Sequence, residues 1–205
     1  MSPRRPDSPP LDREHLKDDP LEQFADWFEQ ARAAVPLAEA MTLATVDAEC
    51  SPDARMVLLK GVGPDGVRFF TNYESAKGNQ LASNARAALI LYWRELDRQV
   101  RVRGSVERLS PEESNAYFAS RPRNSQIAAA ISPQSRPVER DELDRRFAEL
   151  AGELGEAELA RPPNWGGYLV RPQAIEFWQG RESRMHDRFV YSRQPDGWGI
   201  QRLAP

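Results

Sequence analysis

The sequence has a single cysteine, Cys50, and two histidines, His15 and His186, in 205 residues. A lone thiol forms no intramolecular disulfide, so stability must come from a packed core, and a reducing, cytoplasmic setting is expected. So few soft ligands also argue against a Cys/His zinc site, and no metal is expected. Neither sign of charge dominates: 28 Lys and Arg stand against 31 Asp and Glu, a net charge of −3. A nucleic-acid binder would usually be basic, so none is expected as a partner. No apolar run approaches the roughly 20 residues of a membrane-spanning helix. The first ten residues are polar and Pro-rich, without the apolar stretch of a secretory leader. Neither a G-x-x-x-x-G-K loop nor a G-x-G-x-x-G after a strand is present, and no Ser/His/Asp order stands out, so the familiar nucleotide and triad signatures are missing.

What is present suits one full-sized domain. The hydrophobic fraction is 40% and the charged fraction 29%, ordinary values for a chain that buries a core without staples. Residues 1–19 hold four prolines and many charges. They read as a disordered or loosely attached N-terminal arm ahead of a single domain over 20–205. Asp19 as N-cap, Pro20 at the first helical position and Leu21, Phe24, Phe28 and Ala31 at helical spacing predict a helix over 20–34. A helix capped by Ser75 runs to Asn84. Ser110-Pro111-Glu112-Glu113 is a capping box for a helix to Ser120. Leu143, Phe147, Leu150 and Leu154 form one stripe of a helix over 139–154.

Strands are expected over Met41–Val46, Arg55–Gly61, Val67–Thr71, Ala87–Trp93, Gln99–Val106, Tyr168–Val170, Ala174–Trp178, Arg188–Ser192 and Trp198–Leu203. Two Pro-Asp-Gly turns, at 64–66 and 195–197, join neighbours into hairpins. Crossover helices do not separate these strands at regular intervals. The fold class is therefore α+β, mainly antiparallel β, a barrel with peripheral helices.

The chemistry-bearing residues are cations in apolar or turn contexts, each on its own most simply a solvated surface charge. Arg55 and Lys60 bracket the Met56-Val57-Leu58-Leu59 strand; five apart, they point to opposite faces and suit two different anionic groups. Lys77 lies in the first turn of the Ser75 helix, where free N–H groups and the dipole favour a phosphate. Ser120-Arg121-Pro122-Arg123-Asn124-Ser125-Gln126 offers many donors and few acceptors; its alternative is a helix–loop–helix with exposed arginines. Arg184, His186 and Arg188 share one face if their segment is extended, and Trp178 and Tyr117 offer flat surface to a ring. Together these suggest a phosphorylated heterocyclic ligand, or two.

Five blocks, in order, carry a resemblance: Arg55-Met56-Val57-Leu58-Leu59-Lys60, Ser120 to Ile127, Glu176-Phe177-Trp178-Gln179-Gly180, Arg184-Met185-His186-Asp187-Arg188, and Arg202-Leu203-Ala204-Pro205. The chain from about residue 20 to its end resembles the pyridoxamine 5′-phosphate oxidase family. That resemblance implies an FMN-binding split β-barrel, a homodimer with FMN at the subunit interface. It implies oxidation of pyridoxine or pyridoxamine 5′-phosphate to pyridoxal 5′-phosphate, with O₂ as acceptor, H₂O₂ as by-product and ammonia from the amine. Carried over by position, FMN contacts fall on Arg55 to Lys60, Phe70, Thr71, Lys77, Gln99, Gln134, Ser135, Trp178 and Arg188. The substrate falls to Lys60, Tyr117, Arg121 and Ser125, with Arg184, Met185 and His186 over its ring; Arg184 and His186 are the catalytic pair.

Two positions depart from the family pattern. Ala76 stands where the family usually has a second cation beside Lys77, which predicts weaker FMN binding. Asp12-Arg13-Glu14-His15 stands in for a longer Arg-Arg-Glu-Tyr-like stretch, which puts a lid role of the arm in question. A phenazine-type FMN oxidase and a non-catalytic flavin-binding split barrel are the alternative readings; the Arg121–Ser125 cluster favours a phosphorylated substrate, and the Arg184/His186 pair favours an enzyme.

Overall fold

The computed structural model describes residues 10–155 and 157–205. In chain order the elements are α1 (Pro20–Ala34), β1 (Ala40–Val46), β2 (Pro52–Leu58), β3 (Gly61–Gly63), β4 (Gly66–Asn72), α2 (Ala76–Ser83), β5 (Arg86–Trp93), β6 (Arg98–Arg108), α3 (Pro111–Ser120), α4 (Arg123–Ile131), α5 (Arg140–Leu154), β7 (Trp165–Gln179), β8 (Asp187–Gln194) and β9 (Gly197–Arg202). Every strand pairing is antiparallel.

The strand order is β2-β1-β5-β6-β7-β4-β3, with β8 and β9 branching from β7. β7 makes the split. One edge of it follows β6 over 168–179, while the other pairs with β4 over 165–170 and with β8 over 174–179. The two ends of the strand path, β2 and β3, are joined by only Leu59 and Lys60. Leu59 N–H donates to Glu39 C=O at 2.8 Å and Lys60 N–H to Arg68 C=O at 2.8 Å, so the chain leaves β1 and joins β4 in consecutive residues. The sheet closes there into a barrel.

Alternating residues fill the barrel. Met41, Leu43, Phe69, Leu89, Leu91, Val100, Val102, Ile175 and Phe177 are fully buried, as the period-2 patterns require. α1 covers one end with Phe24 and Trp27, the latter edge-on to Phe177 at 5.2 Å.

The helices at 20–34, 76–83, 111–120 and 140–154 follow their sequence signals. Asp19 accepts from Leu21 N–H at 2.7 Å, and the Ser110–Glu113 box is formed in both directions. Four expectations need correction. The strand expected over Arg55–Gly61 ends at Leu58, because the chain must switch partners to close the barrel, so Lys60 lies beyond it and the two-face argument for Arg55 and Lys60 does not hold. Tyr168–Val170 and Ala174–Trp178 are one strand; a bulge opposite Arg103 and Gly104 absorbs the break that Pro172 signals. Residues 123–131, which only the helix–loop–helix alternative made helical, are a helix with Pro122 just ahead of it.

The fourth correction concerns the arm. Residues 1–9 lie outside the described residues, but the segment from Leu11 to Asp19 is tied down. Leu11 and Leu16 are buried, Leu11 N–H donates to Asp187 Oδ2 at 3.1 Å, and Tyr191 Oη donates to Lys17 C=O at 2.7 Å. Among the described residues no helix is long and apolar enough to cross a membrane.

Candidate functional site

The expected residues fall on two separate walls. The first wall surrounds a cavity of about 720 Å³ between the barrel's closing corner and the helices α2 to α5. Met56, Val57, Leu58 and Lys60 line one side and Phe70, Thr71 and Lys77 the floor. Tyr117, Arg121 and Ser125 come from the α3–α4 corner, and Gln134 from the segment after α4.

Lys77 is prepared for an anion. It sits in the first turn of α2, whose N-cap Ser75 accepts from Gly78 N–H at 3.3 Å. Gly78 is required there, since a Cβ would lie 2.1 Å from Tyr73 C=O. Lys77 is 7% exposed, yet its ammonium donates only to neutral oxygens, Gln134 Oε1 at 3.3 Å and Ser75 Oγ at 3.4 Å. Burial pushes it below the ordinary lysine range and the nearby Arg55 guanidinium adds to this, while Asp53 offsets part of it. Thr71 Oγ1 donates to the same Gln134 oxygen at 3.1 Å.

Arg121 makes a second anion site. Its Nη1 is buried without a hydrogen-bond partner, and among the described residues no other side-chain nitrogen or oxygen is left so. Its guanidinium rests 4.6 Å from the Trp165 ring centroid and 5.8 Å from that of Phe118. Phe70 and Tyr117 stack at 3.8 Å, 20° from parallel, and form an aromatic floor beside it. A buried, unpaired guanidinium nitrogen costs free energy until an anion fills it.

The second wall is the face of β6, β7 and β8. Gln99 pairs with Trp178, and Trp178 with Arg188, across neighbouring strands. Arg188 donates to Glu176 Oε1 from Nε at 2.9 Å and lies 2.8 Å from it through Nη2; Nη1 donates to Ala204 C=O at 2.9 Å. The expected extended run from Arg184 to Arg188 is not formed. Glu182–Arg184 is a single 3₁₀ turn, Ser183 and Arg184 have φ of 55° and 60°, and the strand starts only at Asp187. Arg184 and Met185 are exposed at the tip. Arg181 N–H donates to His186 Nδ1 at 3.1 Å, which leaves Nε2 as the proton-bearing nitrogen of the neutral ring. That imidazole lies 4.7 Å from the Trp178 ring.

Asp187 holds this loop. Its side chain is 7% exposed and meets Arg202 Nη1 at 2.7 Å, Arg181 Nη1 at 3.2 Å and Leu11 N–H at 3.1 Å. Burial alone would raise its carboxyl, but these donors together hold it below the usual carboxylate range.

Of the other expected contacts, Leu59 is core, Ser135 is exposed at φ 71°, and Arg55 is engaged by Asp53, Gln80 and Thr45 instead of lining the cavity. Sequence reasoning missed Trp165, Asn72 and the inward face of α5, where Leu143 and Phe147 meet the cavity. The α5 stripe was visible as an apolar helix face; no residue of α5 is buried, and Leu143 and Phe147 of that stripe line the cavity. Trp165 was legible only as the tryptophan before a Gly-Gly pair.

An antiparallel barrel split at β7, with phosphate-ready cations beside a flat aromatic floor, defines the class as split β-barrels. The family model described as pyridoxamine 5′-phosphate oxidase matches residues 28–157, and that of the pyridoxine 5′-phosphate oxidase C-terminal dimerisation region matches 165–205. The chain belongs to the pyridoxamine 5′-phosphate oxidase family. It is 55% identical over 190 residues to a pyridoxine/pyridoxamine 5′-phosphate oxidase of Bordetella petrii, covering 91% of this chain and 89% of that one. It is 51% identical over 200 residues to one of Salinibacter ruber, covering 95% and 93%. Among solved structures, PhzG from Burkholderia lata in complex with tetrahydrophenazine-1-carboxylic acid superposes with a TM-score of 0.92 at 28% identity, covering 97% of this chain and 98% of that chain.

Proposed function

We propose that this chain oxidises pyridoxine 5′-phosphate and pyridoxamine 5′-phosphate to pyridoxal 5′-phosphate as an FMN-dependent homodimer. The observation that carries this reading is the pair of anion sites in one cavity, Lys77, which is buried, and Arg121, whose Nη1 is buried, neither of them held by a carboxylate. One phosphate belongs to FMN and the other to the substrate. Lys77, Thr71 and Gln134 would hold the flavin phosphate, with Met56, Val57 and Leu58 of β2 alongside the flavin. Arg121, Ser125, Lys60 and Tyr117 would clamp the substrate phosphate.

The second wall comes from the partner subunit, since one chain keeps the two walls apart. Gln99, Trp178 and Arg188 of the second copy would close over the flavin, and Arg184, Met185 and His186 over the substrate ring. Two features support this assembly: the match of 165–205 to a dimerisation region, and the exposed Met56 and Leu58 on β2 with Tyr92 on β5.

FMN, when bound, supplies the two-electron oxidation of the substrate carbon and is regenerated by O₂, giving H₂O₂. The protein's own work is alignment. The phosphate clamp holds the far end of the substrate, and this remote binding energy orients the reacting carbon. His186 offers Nε2–H and Arg184 a fixed positive charge to a polar heterocycle. The amine substrate releases ammonia. The anaerobic half-reaction tests the reading. FMN-loaded protein mixed with pyridoxine 5′-phosphate should bleach in the visible, then recover with H₂O₂ on admission of air. A fully loaded flavin that bleaches with neither that compound nor pyridoxamine 5′-phosphate refutes it; bleaching with a reduced phenazine carboxylate instead would transfer the reading to the PhzG type.

A further inference from the structure

Most arginines of the site region are held by carboxylates: Arg188 by Glu176, Arg55 by Asp53, and Arg202 by Asp187. Arg121 is not. Among the described residues its guanidinium makes no ion pair, its Nη1 has no partner, and aromatic rings are what it rests on. The closer ring is Trp165, at 4.6 Å against 5.8 Å for Phe118.

An arginine held by a carboxylate spends its forked donors on that partner. One held on a π face keeps all five N–H groups for an incoming anion, while the ring still fixes its plane. Trp165 is built to be such a platform. It is 6% exposed and lines the cavity. Its N–H donates to Pro162 C=O at 3.1 Å, and its carbonyl accepts from Arg161. Phe118 packs edge-on at 5.3 Å, and Tyr117 lies parallel at 6.2 Å, 6° from coplanar. The next residue, Gly166, leaves room for the Tyr73 phenol, which a Cβ there would meet at 2.0 Å and push aside.

We infer that Trp165 is a positioning and specificity-determining residue: it holds Arg121 without consuming its donors and so sets the preference for a phosphorylated substrate. This rests on the assignment of Arg121 to the substrate phosphate. Trp165 itself reaches the substrate through Arg121.

The test compares pyridoxine 5′-phosphate with unphosphorylated pyridoxine on FMN-loaded wild type, Trp165→Leu and Trp165→Phe. Calorimetric titration with inorganic phosphate runs in parallel. Trp165→Leu should raise KM for the phosphorylated substrate about tenfold with kcat within twofold, leave kcat/KM for pyridoxine unchanged, and weaken inorganic phosphate about tenfold. Trp165→Phe, which keeps a smaller ring, should recover part of each loss. Equal losses on both substrates would make Trp165 a packing residue and overturn the inference, as would an unchanged ratio. Should Trp165→Leu fail to fold, Trp165→Phe alone decides: a two- to fourfold fall in the ratio supports the inference, and an unchanged ratio overturns it. A wild type that oxidises neither compound refutes the oxidase reading, and the phosphate titration then still decides the role of Trp165.

Discussion

The two walls use arginine and lysine in opposite ways. In the cavity, the buried Lys77 and the half-buried Arg121 are left without carboxylate partners, one on neutral oxygens and the other on an aromatic ring. On the β6–β8 face, Arg188 is fixed by Glu176, while Arg181 and Arg202 are fixed by Asp187. A partnerless buried cation is costly, and the cost falls when a ligand anion arrives; a paired cation is already compensated and serves as a rigid post. The first arrangement binds phosphate and the second presents a shape. The same residue type thus has two roles, distinguished by whether a carboxylate lies beside it.

Substitutions can break this contrast at its strongest point first. Arg184→Ala removes the exposed charge that the second wall presents. It should lower kcat/KM by about 10²–10³-fold with FMN affinity nearly unchanged, as steady-state kinetics beside a flavin titration would show. A parallel fall in FMN affinity would return Arg184 to the cofactor.

Asp187→Asn removes the post itself. Charged hydrogen bonds to Arg202, Arg181 and Leu11 N–H weaken together, at a cost of about 1.5–3 kcal/mol in urea unfolding at neutral pH. The sign with pH follows from the lowered carboxyl. The wild-type advantage is present above the unfolded carboxyl pKa and is lost as pH falls through the folded one, so the two proteins should converge in acid.

The cavity wall responds in the opposite direction. The Lys77 ammonium is already pushed below its ordinary range, and a phosphate beside it would restore the charge, so FMN binding takes up a proton once the apo lysine is neutral. FMN affinity should fall on the alkaline side, approaching about tenfold per pH unit, and Lys77→Arg should flatten the profile. The smallest effect concerns the missing second cation. Ala76→Arg places a charge at the exposed first position of α2 and should tighten FMN by a few-fold to about tenfold in a fluorescence titration. No gain would mean that the existing donors already saturate the phosphate.

Much of the fold was legible because its signals are local. Asp19, Ser75 and the Ser110–Glu113 box marked three helix starts, and alternation marked the strand of Val100, Val102 and Val106. The misreadings share a cause. Leu59 and Lys60 look like more strand, since an apolar run does not reveal that the ladder partner changes from β1 to β4. Pro172 looks like a break, since a bulge is decided by the partner strand. The segment from Leu11 to Asp19 looks unattached, since its anchors at Asp187 and Tyr191 lie more than 170 positions away.

By itself, the sequence determined four of the helices, most of the strands, the antiparallel α+β class and the set of cations available for chemistry, because caps, turns and periodicity act over a few residues. Only the tertiary structure decided which cations are spent and which are free. That depends on whether the closing of the barrel brings a carboxylate, an amide oxygen or an aromatic ring beside each one, and distances of that kind are fixed by packing between segments far apart in the chain.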